Sequence, residues 1–173
     1  MKLIACLGNP GKDYTYTRHN AGFLFADYLI EKHNFTDKGK KFKGRLYEGN
    51  INDEKILIIK PKTFMNLSGE SVQLVAGFYK LTSQDIWSVF DDFDIPFSTI
   101  RYREKGGAGT HNGMKSMIKC LKTQDFPRLR IGVGPLPEHW DVSNFVLSNF
   151  TEEQLKALPT IFEDAETTLL KQF

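Results

Sequence analysis

Cysteine is scarce in this chain: of 173 residues only Cys6 and Cys120 are cysteines, one in an apolar run, the other on a helical pattern, with no paired spacing. That excludes a disulfide framework and makes a reducing, cytoplasmic compartment the expectation. Long hydrophobic runs are missing too. Nothing approaches the ~20 apolar residues of a membrane span, and the stretch before Cys6, preceded by a single Lys, is too short for a signal peptide. Charge of one sign is also lacking, since 23 Lys plus Arg against 21 Asp plus Glu leave a formal charge of only +2. Total charge therefore does not call for a nucleic-acid partner, and any such argument must rest on distribution. The four histidines, His19, His33, His111 and His139, lack ligand spacing, so no metal is expected. There is no dinucleotide fingerprint, no P-loop and no Gly-x-Ser-x-Gly elbow, and hence no cofactor or serine nucleophile is expected.

What is present alternates in period. Leu3-Ile4-Ala5-Cys6-Leu7 reads as a buried strand that breaks at Gly8-Asn9-Pro10-Gly11. Thr17-Arg18-His19-Asn20 then leads into a helical face over 21–32. The basic stretch 38–45 reads as a loop. Strands follow over 45–51 and 55–60, joined at Asn52-Asp53 as a hairpin, the second apolar on both faces and so central. A helix through Phe78, with Asn66 at its start as a candidate N-cap, precedes a buried strand over 86–90 that runs into Asp91-Asp92-Phe93-Asp94. A strand over 100–103, a glycine-rich loop expected to be mobile, and a helix through Leu121 follow. Another strand covers 128–134, then a short apolar segment covers 144–147. Thr151-Glu152-Glu153-Gln154 is a capping box opening a last amphipathic helix. With no repeat or linker, the expectation is an α/β fold: one domain over 1–173, a twisted mixed β-sheet with helices on both faces.

Strand ends and helix starts are where such sheets build sites. His19 stands at one, Asp91 at another. An imidazole held by a carboxylate can serve as a general base, and carboxamides such as Asn9, Asn66 and Asn112 can hold carbonyl or oxyanion oxygens. Without a convincing nucleophile, the natural attacker is water. From Arg101 to Arg130 eight basic residues face two acidic ones, an excess beside the glycine loop that suits a bound polyanion.

The blocks Gly8-Asn9-Pro10-Gly11, Thr17 to Gly22, Lys62 to Gly69, Asp91 to Asp94, Gly106-Gly107, His111-Asn112-Gly113 and Arg128 to Gly132, in that order, resemble the bacterial-type peptidyl-tRNA hydrolases. The resemblance spans nearly the whole chain. It implies cleavage of the ester joining a peptide to the terminal ribose of tRNA, by water activated without a covalent intermediate. It assigns catalysis to His19, Asp91, Asn9 and Asn112, and substrate contacts to Tyr14, Phe64, Met65, Asn66, His111 and Asn112. The acceptor-stem phosphate would fall to Arg103, which stands where the family commonly has Lys, and Arg130. The implied partner is peptidyl-tRNA, met through its acceptor stem and 3′ end by a monomer. The alternative is a catalytically silent RNA-binding protein on the same fold.

Overall fold

A computed structural model describes residues 1–173. The strands are β1 (Lys2–Cys6), β2 (Thr36–Lys41), β3 (Gly44–Ile51), β4 (Glu54–Pro61), β5 (Ile86–Pro96), β6 (Ile100–Arg103) and β7 (Arg128–Gly134). The helices are α1 (Ala21–Lys32), α2 (Ser68–Tyr79), α3 (Asn112–Leu121), α4 (Val142–Val146) and α5 (Glu152–Leu170). All seven strands join one sheet in the order β2-β3-β4-β1-β5-β7-β6. The central β4, β1, β5 and β7 are parallel, and β2, β3 and β6 are antiparallel additions at the two edges.

Alternation along the central strands divides the core in two. Ile4, Cys6, Ile56 and Ile58 turn to the side covered by α1 and α5, while Leu3, Ala5, Leu7, Leu57 and Ile59 turn to the side covered by α2 and α3. Both faces being covered explains why β1 and β4 are apolar throughout rather than alternating. No helix is long and apolar enough to cross a membrane.

Three local expectations are corrected. The basic stretch expected as a loop contains edge strand β2, which turns into β3 through Phe42 and Lys43, both at positive φ (57° each). Neither residue advertises such a turn, and β2, solvated along most of its length, carries no hydrophobic period. Strand β5 continues through the carboxylate run to Pro96. Asn66 caps nothing; it lies in a 3-10 turn over Met65–Leu67 with no side-chain capping bond. The Asn52-Asp53 hairpin is as expected, with both residues at positive φ, and the Thr151–Gln154 capping box opens α5.

Gly22 brings α1 against the sheet. A Cβ there would lie 2.5 Å from the Leu7 carbonyl oxygen and 2.6 Å from that of Val89. Only glycine lets the start of α1 sit on the ends of β1 and β5, and that contact sets the height of His19 above the strands.

Candidate active site

At the carboxyl ends of β1 and β5 a cavity of about 670 Å³ opens. Its walls include Asn9, His19, Phe64, Met65, Asn66 and Asp91, with Ala108 to Asn112 on one side and α4 on another. Asp91 is buried and faces two imidazoles. His19 Nδ1 lies 2.9 Å from both of its carboxylate oxygens, and His111 Nε2 lies 2.9 Å from Oδ1.

The hydrogen bonds fix both tautomers. His111 is the N-cap of α3, its Nδ1 accepting from the Met114 N–H at 3.2 Å, so its proton is on Nε2 and points at Asp91. Both of its ring nitrogens are thereby committed. Asn112 occupies the first helical position and is exposed to the cavity. His19 donates from Nδ1, which leaves Nε2 as a lone pair on the cavity side. Burial by itself would lower the His19 pKa, but the charge and hydrogen bond of Asp91 outweigh it and the net shift is upward. Burial would raise the Asp91 pKa; the two imidazoles overcome that and hold it far below the usual carboxylate range.

Asn9 is buried and oriented by its neighbours. Asn20, 2 % exposed, accepts from the Asn9 N–H through Oδ1 (2.8 Å) and donates from Nδ2 to the Asn9 carbonyl (3.0 Å). Asn9 Oδ1 accepts from the Met65 N–H at 2.7 Å. Its Nδ2 is the remaining donor, and Asn9 lines the cavity. The Met65 bond also steadies a strained residue: Phe64 has φ 66° and ψ 156°, a region essentially reserved for glycine that costs about 1–3 kcal/mol. The strain holds an aromatic ring, 52 % exposed, at the cavity wall. Tyr14 does not line the cavity but packs edge-on against Phe64, ring centroids 6.4 Å apart.

Arg103 and Arg130 lie outside the cavity. Arg103 is exposed on β6 without an ion pair, whereas Arg130 on β7 is partly buried beside Asp92, Nη1 to Oδ2 3.5 Å. The carboxylate run is thus divided: Asp91 serves the imidazoles, Asp92 faces Arg130, and Asp94 is exposed at the cavity. The glycine loop is less free than its sequence suggests. Buried Arg128 grips it from beneath, donating to the carbonyls of Gly106 (2.7 Å), Gly107 (3.2 Å), Gln124 (2.8 Å) and Phe126 (3.1 Å). Burial, with Arg103 and Arg130 nearby, lowers its pKa to about 10.

Sequence reasoning missed Asn20, Arg128 and Arg18. Arg18 ties the His19 turn to the segment between α4 and α5, donating to Ser148 Oγ at 2.6 Å, the Asn149 carbonyl at 2.9 Å and Gln154 Oε1 at 3.2 Å. No hydrophobic pattern singles them out: Arg18 and Asn20 flank His19 in the polar run Thr17–Asn20, and Arg128 alternates with Leu129 and Arg130 at the start of a strand. The residue spacing also concealed a potential donor set: His19, Asp91 and His111 bring metal-capable atoms within 4.8 Å of one another. As arranged, those atoms face each other through hydrogen bonds, the imidazoles donating and the carboxylate accepting.

A carboxylate-held imidazole and the carboxamides of Asn9, Asn66 and Asn112 line one cavity at the strand ends of an open α/β sheet, a layout suited to hydrolysis. Comparison with known proteins carries this further. The family model described as peptidyl-tRNA hydrolase matches residues 3–172. A peptidyl-tRNA hydrolase from Alkaliphilus oremlandii (strain OhILAs) is 48 % identical over 96 % of this chain and 88 % of its own; one from Desulfitobacterium hafniense (strain Y51) is 48 % identical over 94 % and 88 %. The crystal structure of peptidyl-tRNA hydrolase from Acinetobacter baumannii superposes with a TM-score of 0.85 at 33 % identity, covering 99 % of this chain and 92 % of that one. The chain belongs to the peptidyl-tRNA hydrolase family.

Proposed function

We propose that this protein hydrolyses the ester between a peptide and the terminal ribose of tRNA, with His19 as the base that activates water. The observation that carries the reading is the Asp91–His19 pair: a buried carboxylate at 2.9 Å from Nδ1, leaving Nε2 as the lone pair at the cavity. Water bound there gives its proton to Nε2 as its oxygen attacks the ester carbonyl carbon. Asp91 stabilises the imidazolium that forms. The tetrahedral oxyanion is met by carboxamide donors, Asn9 Nδ2 and Asn112. As the bond from carbon to ribose oxygen breaks, the proton held on Nε2 passes to that oxygen, leaving a peptide carboxylic acid and tRNA with a free ribose hydroxyl.

The remaining residues bind. Phe64, Met65 and Asn66 supply one wall of the groove, Tyr14 supports Phe64, and His111 fixes Asp91 while its ring lines the floor. Arg103 and Arg130 would hold an acceptor-stem phosphate; of the two, Arg103 is the unpaired cation. In this reading the reaction needs no metal, cofactor or covalent intermediate, and a single chain in the cytoplasm carries it.

The test is peptide release from N-acylated aminoacyl-tRNA in the presence of EDTA. Wild type is expected to be active, and His19→Ala to lose roughly 10²- to 10⁴-fold in turnover while keeping its affinity for tRNA. Equal turnover in that variant would remove His19 from its role as base.

A further inference from the structure

A second cavity, of about 730 Å³, lies at the turn between β2 and β3 and is lined by Lys40, Lys41, Phe42, Lys43, Arg45 and Lys62 together with Gly44 and Thr63. Five of its eight lining residues are cations and none is a carboxylate. Gly44 pairs with Pro61 at the end of β4, and β4 runs parallel to β1. The cavity therefore opens on the same rim of the sheet as His19. The Lys62 N–H bonds to the Lys43 carbonyl at 2.9 Å, and two residues on, Phe64 begins the wall of the active-site groove.

Some of this charge is neutralised. Lys43 reaches Glu70 (2.8 Å), Arg45 reaches Asp37 (2.7 Å) and Lys60, below, reaches Asp27 (2.6 Å). Lys40, Lys41 and Lys62 make no ion pair. Lys62 stands 4.8 Å from the Phe23 ring centroid, and burial and the nearby charge of Lys60 lower its pKa. Lysines on an edge strand commonly serve only to prevent strand pairing. That accounts for Lys40 and Lys41 but not for the convergence of Lys43 from the turn, Arg45 from β3 and Lys62 from just past the end of β4 on one concavity. Exposed aromatic rings flank it: Phe64 on one side, and Phe78, 67 % exposed and 5.4 Å from Phe42, on the other. Cations interleaved with open aromatic faces are the chemistry that holds a nucleic-acid backbone and stacks its bases.

We propose that this cavity is a second phosphate-binding site, taking the substrate's own RNA backbone on the flank of His19 opposite Arg103 and Arg130. The sheet order puts two or three strand spacings, roughly 10–15 Å, between it and the reacting centre. The RNA is then held at phosphates on two flanks of His19. The assignment rests on the hydrolase reading above.

The experiment measures binding of deacylated tRNA across a salt series, for wild type and for the triple variant Lys40→Gln, Lys41→Gln, Lys62→Gln, with peptide release at saturating substrate assayed on the same preparations. The expected result is weaker binding, a log–log salt slope shallower by about two, and unchanged turnover. An unchanged slope overturns the proposal. So does a loss confined to substrates whose peptide carries Asp or Glu, which would give the cavity to the peptide. Equal loss for an unrelated RNA hairpin of the same length overturns the assignment to the substrate. If the triple variant fails to fold, Lys40→Gln with Lys41→Gln, both exposed on β2, carries the test with a slope change of about 1.5. Wild type that binds with the expected slope yet releases no peptide would sink the hydrolase reading and leave the phosphate site standing.

Discussion

At the scale of single residues, the site is a problem in opposing electrostatic effects. Burial pushes His19 toward neutrality and Asp91 pushes it toward charge, and Asp91 wins. In Asp91→Asn the desolvation remains while the carboxylate is gone, so the His19 pKa falls. The acid limb of the kcat/KM profile is expected to move to lower pH while the maximum drops roughly 10²-fold or more; an unmoved acid limb would show that His19 does not govern it. Phe64 is a second such conflict, between backbone strain and a useful ring position. Phe64→Gly is expected to relieve the φ 66° strain and raise stability by about 1 kcal/mol, while raising KM several-fold through loss of the groove wall. Thermal unfolding beside kinetics checks both halves. A variant less stable than wild type would mean that the packing against Tyr14 outweighs the strain.

At the scale of elements, the question is what holds loops over strand ends. Arg128 is a buried cation with no carboxylate partner; main-chain carbonyls alone satisfy it. Arg128→Met leaves those oxygens unpaired, and an expected loss of about 2–4 kcal/mol follows. The Gly106 N–H, bonded to the Gln124 carbonyl at 3.2 Å, should lose hydrogen-exchange protection first, since both ends of that bond are held by Arg128. Exchange at Gly106 no faster than in wild type would show that the loop is held otherwise. The glycines invited a reading of free motion, and what they omit is that an arginine 21 and 22 residues further on grips their carbonyls. Strand β2 makes the complementary point, since its pairing with β3 depends on backbone groups to which side-chain periodicity is blind.

Across the whole molecule, the first and last helices are joined by one carboxylate. Glu166, 5 % exposed on α5, accepts from Lys32 Nζ (2.6 Å), Tyr28 Oη (3.2 Å) and His33 Nε2 of the α1 end. Burial would raise its pKa, and the Lys32 and His33 bonds lower it on balance. A depressed carboxylate contributes stability above its unfolded pKa, about 4.3, and loses it as pH falls through the folded value. Glu166→Gln is therefore expected to be less stable than wild type by about 1–3 kcal/mol at pH 7, the gap narrowing below about pH 4. A gap constant with pH would show that packing, not charge, is what Gln lacks. By itself the sequence determined the α/β class, the two-sided burial of β1 and β4, and His19, Asp91 and the asparagines as candidates, because period and strand-end position are local properties. Tertiary structure alone decided that His111 locks Asp91, that Asn20 aims Asn9, that Phe64 is strained and that Arg130 is shared with Asp92. Those outcomes depend on contacts between residues separated in the chain, 20 positions for His111 and Asp91 and 38 for Arg130 and Asp92, and no local pattern encodes which distant partner a buried polar group will find.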